Sequence, residues 1–167
     1  MEGACGIILA TDDPNVVIKR VHRRKSSHYR TKSYRAEDQC RIQRWAHNVL
    51  KNSEILFVPR AWSPERHLYK MERIDVSKPI EMTDISSIPG LQSELEQFYM
   101  AGRENGIYPQ DFELYLQDDG RIGLVDFDKF GVWNKDGSVN FPWGAHWSAE
   151  KVMDFTYTYL NRSNYKN

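Results

Sequence analysis

The chain has little of what several common protein classes require. Only two cysteines, Cys5 and Cys40, occur among its 167 residues, which is too few for a disulfide scaffold or a zinc cluster. No run of apolar residues approaches the roughly 20 that a membrane-spanning helix needs. The first residues also lack the charged-then-apolar layout of a secretory signal. We therefore expect a soluble protein of a reducing compartment, the cytoplasm, with no membrane partner.

An excess of charge of one sign is also lacking. The sequence holds 23 Lys and Arg residues against 23 Asp and Glu residues, which argues against nucleic acid as a partner of the whole protein. The charge is nevertheless uneven, because a basic block runs from Lys19 to Arg44 and an acid-rich stretch from Asp111 to Asp128. The basic block is either a solvated loop and helix face or a contact for an anion or for nucleic acid. The sequence leaves both interpretations open.

What is present suits one small globular domain. At this length, 40% hydrophobic and 13% aromatic residues are enough to build one core. Hydrophobic periodicity and turn residues predict the elements. These are a hairpin with Asp12–Asn15 at its turn, a helix within 34–50, strands over 55–58 and 67–74, a helix from about Leu91 to Gly106, a strand pair around 118–120, a hairpin with Asp136-Gly137 at its tip, and a last helix capped by Ser148.

The order of these elements predicts an α+β fold with mostly antiparallel strands. The stretch from Val76 to Pro89 holds turn-favouring residues and prolines, which predicts a linker between two lobes. We expect one domain over 1–167, with an N-lobe of about 1–75, a linker of about 76–90 and a reduced C-lobe of about 91–167. A crevice at such a boundary is where a ligand usually binds.

Two stretches far apart in sequence carry the strongest chemical signal. Val16-Val-Ile-Lys19 predicts a strand with one inward-pointing lysine, and Ile122 to Val125 predicts a strand that delivers Asp126 at its end. An ammonium and a carboxylate in such positions can grip the phosphates of a nucleotide and their Mg²⁺. The flanking apolar residues indicate that the Asp126-Phe-Asp128 turn is partly buried.

The order of these pieces resembles the protein-kinase-like superfamily, and its atypical and aminoglycoside-phosphotransferase-like branch more than the Ser/Thr/Tyr protein kinases. Glu2-Gly-Ala-Cys-Gly6 is similar to the glycine-rich phosphate loop, although Met1 and Glu2 stand where the first glycine would be. The resemblance implies a small antiparallel N-lobe sheet with one helix and a truncated C-lobe. It also implies that Gly3 and Gly6 cover phosphates, that Lys19 neutralises them, and that ATP and Mg²⁺ are the cofactors.

The resemblance implies further binding residues in the N-lobe. In the family a glutamate of the first helix holds the lysine, and here Glu37 is the candidate with Asp38 as the alternative. The strand that ends near Glu72 and Ile74 is similar to the one that leads into the hinge between the lobes. Backbone groups of those two residues would then meet the edge of an adenine ring.

The catalytic loop departs from the family pattern. Pro109-Gln110-Asp111 stands where a His-Arg-Asp or His-Gly-Asp triplet is expected, and Glu113 falls at the position of the metal-binding asparagine. Either the loop is shortened and Asp111 remains the catalytic base, or the base is absent and Tyr108 occupies its position. The resemblance implies catalytic roles for Lys19, Asp111 and Asp126, with Asp126 and Glu113 as metal ligands.

Three functions follow, and the sequence does not choose between them conclusively. The altered motifs favour a degenerate kinase-like protein, a pseudokinase-type module that binds a nucleotide or another small ligand and regulates a protein partner. The first alternative is a small-molecule phosphotransferase that uses ATP and Mg²⁺. The second is an enzyme that reuses the cleft for acid/base chemistry on a ligand stacked against Trp133, Trp143 and Trp147. Since the resemblance ends near Phe130, a peptide-phosphorylating kinase is not expected.

Overall fold

The computed structural model of the chain describes residues 2–3, 6–21, 36–127, 129–141 and 144–160. These residues form an α+β fold with three α-helices and three β-sheets, whose strands are numbered in chain order. Among them, no helix is both long and apolar enough to cross a lipid bilayer.

The first sheet belongs to the N-terminal half and is antiparallel. Its five strands are β1 (Glu2–Gly3), β2 (Gly6–Ala10), β3 (Val16–Val21), β5 (Ala61–Trp62) and β6 (Leu68–Glu72), in the order β1-β2-β3-β6-β5. The predicted hairpin with Asp12–Asn15 at its turn is confirmed as β2 and β3. Side chains alternate between the faces of a strand, so Val17, Lys19 and Val21 are all buried on one face of β3.

Helix α1 (Ala36–Val49) covers that face, as the spacing within 34–50 predicts. Small residues make the approach close, because Ala36 and Cys40 of the helix pack on the sheet residues in a small core. That core contains Val17, Val21, Ala36, Cys40, Ala61, Tyr69 and Met71, with Ile8 and Val125 packed against it. Burial also raises the pKa of the Cys40 thiol, which makes its reactive thiolate less accessible.

Two further sheets lie in the C-terminal half. The three-stranded sheet has the order β4-β9-β8, with β4 (Leu56–Phe57), β8 (Glu113–Leu116) and β9 (Ile122–Val125). The four-stranded sheet has the order β12-β11-β10-β7, with β7 (Ile107–Pro109), β10 (Phe130–Trp133), β11 (Val139–Asn140) and β12 (His146–Trp147). The strand expected over 55–58 therefore exists as β4, but it pairs in parallel with β9 and joins the C-terminal half.

Helices α2 (Leu91–Glu104) and α3 (Ala149–Leu160) complete the larger core. Both were predicted, and Ser148 caps α3 by accepting a hydrogen bond from the Lys151 N–H at 3.3 Å. The stretch predicted as an irregular linker is more regular than expected. Pro79 pairs with Tyr115, and a 3₁₀-helix over Met82–Ser87 buries Ile85 in the core. The stretch is too short for the spacing of its apolar residues to reveal such a helix.

Aromatic side chains fill the C-terminal core. Trp147 is buried and packs edge-on against Phe141, with 4.9 Å between ring centroids, while its face lies under the Lys151 ammonium. Trp133 contacts Tyr108 and lies under the Arg103 guanidinium. Both tryptophans thus contribute to packing, and Trp143 lies outside the described residues. The described part of the tail therefore gives little support to the hypothesis that a ligand stacks against these tryptophan side chains.

Candidate functional site

The two strands that carry the strongest sequence signal bring Lys19 and Asp126 together. The Lys19 Nζ donates a hydrogen bond to Asp126 Oδ1 at 3.2 Å, and this ion pair joins β3 of the N-terminal sheet to the end of β9. The lysine side chain is only 10% exposed, whereas the aspartate side chain is 34% exposed. We call these two residues the inner pair. One side of its carboxylate is open to solvent or to a ligand.

The backbone holds Asp126 in an unusual conformation. Its φ is +76°, in the left-handed region that L-residues other than Asn and Asp seldom adopt. Its two neighbours in the chain are packed: the partly buried Val125 lies against the small N-terminal core, and the buried Phe127 packs against Phe130 with 5.3 Å between centroids. The expected partial burial of this turn is confirmed for Asp126 and Phe127, while Asp128 lies outside the described residues. Strain of this kind is common at functional positions.

The glycines of the N-terminal hairpin allow its backbone to approach Lys19. A Cβ on Gly6 would lie 2.8 Å from the Arg20 carbonyl oxygen and 3.6 Å from Lys19 Cε. Only glycine fits at this position, because the oxygen belongs to the rigid backbone of the neighbouring strand. Gly3 pairs with Gly6 across β1 and β2. The described ends of the predicted phosphate loop thus lie on paired strands, with Gly6 beside the lysine stem, and Ala4 and Cys5 lie outside the described residues.

The structure does not bring the predicted helix carboxylates to Lys19. Glu37 is exposed in the first turn of α1, and Asp38 lies 4.0 Å from Arg41 on the helix surface. Within the described residues, neither forms an ion pair with Lys19. Gln39 and Gln43 lie on the face that packs on the sheet, and both are 1% exposed.

These two glutamines differ in how well they are satisfied. The Gln43 amide donates to the Pro59 carbonyl at 2.8 Å and accepts from the Tyr69 hydroxyl at 3.2 Å. The Gln39 amide is buried and makes no hydrogen bond within the described residues. A buried, unsatisfied amide costs free energy. The sequence places a carboxylate and an amide only two residues apart at this helix start, and the phase of the helix decides which one is buried.

The two predicted hinge residues, Glu72 and Ile74, differ in the hydrogen bonding of their backbone N–H groups. The Glu72 N–H donates to the Arg60 carbonyl at 2.9 Å, and its carboxylate accepts from the Arg60 N–H at 2.9 Å. Ile74 is half-buried, and its N–H donates no hydrogen bond among the described residues. Its side chain packs on Gly123 of β9, where a Cβ would lie 3.0 Å from Ile74 Cδ1. Ile74 therefore offers a backbone donor to a ligand, whereas the Glu72 donor is already used.

Asp111 lies in the bend between β7 and β8, where its carboxylate accepts a hydrogen bond from Lys129 Nζ at 2.5 Å. It is exposed and has a φ of +59°, a second left-handed aspartate. Tyr108, the alternative for its role, is 1% exposed and hydrogen-bonds the Thr156 hydroxyl at 2.5 Å. Burial raises the pKa of Tyr108 to about 12. Tyr108 is thus a core residue and no base itself, and both alternatives, a shortened loop with Asp111 as the base and a loop without a base, stay predictions.

Glu113 begins β8, and its Cα pairs with that of Val125, the residue before Asp126. Its carboxylate accepts a hydrogen bond from the Tyr115 hydroxyl at 2.8 Å. Burial, the hydrogen bond to Glu113 and the charges of Glu113 and Asp126 together raise the pKa of Tyr115 to about 12. Tyr115 thus contacts one predicted metal ligand, Glu113, and senses the charge of the other, Asp126, and sequence reasoning missed it. The alternation of side chains along β8 from Glu113 could have found it.

The carboxylates fit a magnesium site in which water and phosphate oxygens supply the remaining ligands. Within the described residues there is no group of three or more His, Cys, Asp or Glu side chains that could hold a metal ion. Mg²⁺ usually binds one or two carboxylates and completes its shell with water and substrate phosphates. Asp126, one-third exposed, and Glu113, on the neighbouring strand, match that pattern. A magnesium ion here would depend on a phosphate ligand, and the metal roles of Asp126 and Glu113 remain predictions.

Comparison with known proteins identifies the fold but no family. No known protein family matches the sequence, and no curated protein does either. Among solved structures, the chain is similar to the crystal structure of the Rio2 kinase–ADP/Mg²⁺–phosphoaspartate complex from Chaetomium thermophilum. The TM-score is 0.50 at 16% sequence identity, over 97% of this chain and 52% of that one. The chain thus has a kinase-like fold and spans about half the length of that structure, and no particular branch of the superfamily is selected.

Proposed function

We propose that the chain is a kinase-like, pseudokinase-type module that binds ATP with Mg²⁺ between its two halves. The inner pair is the observation that carries this proposal, because it joins an ammonium and a carboxylate from sequence-distant strands at 3.2 Å. Such a pair can open around a nucleotide, with Lys19 contacting phosphates and Asp126 holding the metal that bridges them. The N–H of Ile74 would meet the base, and the Gly3–Gly6 hairpin would lie over the phosphates.

The acceptor side of the site supports binding more than catalysis. Phosphoryl transfer depends on the positioning of the base and the electrostatic environment of the phosphates. Asp111 is exposed and paired with the neighbouring Lys129, so its carboxylate is not held ready to orient an acceptor. We infer that phosphoryl transfer is slow or lost while nucleotide binding is retained. A protein partner that senses the bound nucleotide fits such a module.

A small-molecule phosphotransferase is the second candidate, and one observation favours it. Asp111 has a left-handed φ of +59° at an open edge, a conformation that persists at catalytic positions when the surroundings fix it. The solved structure with a similar fold contains ADP, Mg²⁺ and a phosphoaspartate, according to its title. By analogy, an active form of this chain would transfer a phosphoryl group to an acceptor or onto one of its own aspartates.

Thermal unfolding in the presence of ATP and Mg²⁺ tests the proposal. A ligand at 100 times its dissociation constant adds about 2.7 kcal/mol to the free energy of unfolding, which raises the melting temperature by several degrees. We expect this shift with ATP and Mg²⁺ together and a smaller one with ATP and EDTA. No shift under either condition would rule out both nucleotide-binding candidates.

Phosphoryl transfer is then tested on the same samples. After incubation with ATP and Mg²⁺, we expect intact-mass analysis to show an unmodified chain and ADP to be released no faster than in buffer. A phosphorylated chain, or ADP release that Asp111→Asn abolishes, would favour the phosphotransferase instead. Asn is the suitable replacement because it tolerates a left-handed backbone.

A further inference from the structure

A second cavity lies at the far edge of the N-terminal sheet. It has a volume of about 460 Å³ and is formed by the C-terminal half of α1 and the edge strand β5. Its lining comprises Arg44, His47, Asn48, Arg60, Ala61 and Trp62. Strand β6 separates β5 from β3, which carries Lys19, and neither Lys19 nor Asp126 lines the cavity. The cavity is therefore a separate site from the inner pair.

The described lining of this cavity is cationic. Arg44 and Arg60 contribute two guanidinium groups, and the described lining includes no Asp or Glu side chain. The Arg60 guanidinium carbon lies 5.2 Å from the centroid of the Trp62 ring, and its Nε lies 3.7 Å from Glu72. Stacking on an indole holds a guanidinium in one orientation, so less entropy is lost when it binds an anion. Arg60 is thus partly ordered before any ligand arrives.

The histidine of the lining is also oriented. His47 Nδ1 lies 2.7 Å from the Val58 carbonyl oxygen, which can only accept, so Nδ1 carries the proton and donates. The second ring nitrogen, Nε2, is then an acceptor, and it donates to an anion only when the ring is an imidazolium. Asn48, one residue further along α1, adds an exposed amide. Two guanidiniums and an amide around one cavity form a set of donors, and the Glu72 carboxylate that pairs with Arg60 lies beside them.

We propose that this cavity binds a phosphomonoester dianion on a small molecule. Arginine matches phosphate geometry through two parallel N–H donors, and hydrogen bonds between charged groups are about twice as strong as neutral ones. The volume lies within the range of small-molecule sites, so it admits the phosphate together with the molecule that bears it. This site accounts for Arg44, the last residue of the basic block, which the nucleotide cleft leaves without a role.

Binding of phenyl phosphate, followed by isothermal titration and by NMR of the arginine side chains, tests this inference. We expect saturable binding that perturbs the Arg44, Arg60 and Trp62 side-chain signals. Arg44→Gln should weaken the affinity by about tenfold, the effect of losing one charged hydrogen bond. Phenyl sulfate has the same ring and one negative charge less, and it should bind at least several-fold more weakly.

Two variants serve as controls. Arg103→Gln removes an arginine that also stacks on an indole, that of Trp133, in the other half of the molecule, and it should leave the affinity unchanged. Lys19→Met should also leave it unchanged, since the inner pair is a different site. A far-ultraviolet circular dichroism spectrum equal to that of the wild type would show that Arg44→Gln is folded.

Three results would overturn the inference. They are no saturable binding of phenyl phosphate at millimolar concentration, equal losses of affinity in Arg44→Gln and Arg103→Gln, or loss of binding in Lys19→Met. The last result would place the phosphate in the nucleotide cleft, so it would remove this second site and leave the proposed function intact. Conversely, failure of ATP to bind leaves the phenyl phosphate measurement unaffected.

Discussion

The inner pair and the exposed rim of the same site are built in different ways. Lys19 and Asp126 come from strands of two different sheets, and the lysine is nearly enclosed. Asp111 and Glu113, which we call the rim, are exposed and contact the nearby residues Lys129 and Tyr115. The inner pair depends on the packing of the two halves against each other, whereas the rim depends on local turns and strand pairing.

This difference in construction matches two separate requirements of an active kinase. Holding phosphates and metal requires the two halves to be placed correctly, and the inner pair retains that arrangement. Orienting an acceptor requires a base fixed within a fraction of an ångström. The rim carboxylates are exposed and already paired, so their positions are weakly enforced. Under the proposed function, we expect the molecule to bind a nucleotide better than it uses one.

Breaking the inner pair should give the largest effect. Lys19→Met keeps most of the apolar stem and removes the ammonium. We expect the stabilisation by ATP and Mg²⁺, about 2.7 kcal/mol at 100 times the dissociation constant, to disappear. Differential scanning calorimetry with and without ligand measures this. Lys70→Met is the matched control, because Lys70 is an exposed lysine on the neighbouring strand β6. Equal ligand shifts in Lys19→Met and in the wild type would contradict a role for the inner pair.

Substitutions on the face of α1 that packs on the N-terminal core should have the next largest effects. Gln39→Leu replaces a buried amide that makes no hydrogen bond within the described residues, so we expect stabilisation by about 1 kcal/mol. Gln43→Leu is the contrasting variant, since it removes the bonds to Pro59 and Tyr69 and should cost about 1–3 kcal/mol. Urea unfolding measures both. If Gln39→Leu were as destabilising as Gln43→Leu, the Gln39 amide would have a partner that stabilises the fold.

Changes at the rim should be smaller. Asp111→Asn removes one exposed ion pair and keeps a residue that tolerates a left-handed backbone, so we expect a cost below about 1 kcal/mol. Asp118→Asn, which breaks the similarly exposed pair with Lys78, is the control and should behave alike. Urea unfolding and the ATP shift are measured together. A loss of the ATP shift in Asp111→Asn would show that the rim takes part in nucleotide binding.

The smallest effect is expected at Tyr115 and depends on pH. Its pKa is raised to about 12, so the neutral phenol stabilises the folded state fully below its unfolded pKa of about 10, and this contribution is lost as the pH rises through about 12. Tyr115→Phe should therefore be slightly less stable than the wild type at pH 7, and this difference should shrink between about pH 10 and 12. Melting temperatures across that range measure it. A difference that grows with pH would mean that Tyr115 ionises more readily in the folded protein.

Some of these features could be predicted from sequence because they depend on local patterns. The β2–β3 hairpin, α1 and the burial of Lys19 follow from alternation and helical spacing. The strand at 61–62 is too short for such patterns, and the parallel pairing of β4 with β9 depends on long-range packing. The choice between Glu37 and Asp38 depended on helix phase, which spacing alone cannot fix within one residue, and it is Gln39 and Gln43 that lie on the buried face of α1. The cavity at Arg44 and Arg60 joins a helix face to the short strand β5, an arrangement that no motif describes.

A double-mutant cycle on the inner pair tests the central claim most directly. The affinity for ATP with Mg²⁺ is measured by titration calorimetry in the wild type, Lys19→Met, Asp126→Asn and the double variant. We predict that the wild type binds and that the two single losses do not add, with a coupling free energy of about 1 kcal/mol or more, because both side chains act on the same phosphates and metal. Losses that add within about 0.5 kcal/mol, or a wild type that does not bind, would contradict a shared nucleotide site.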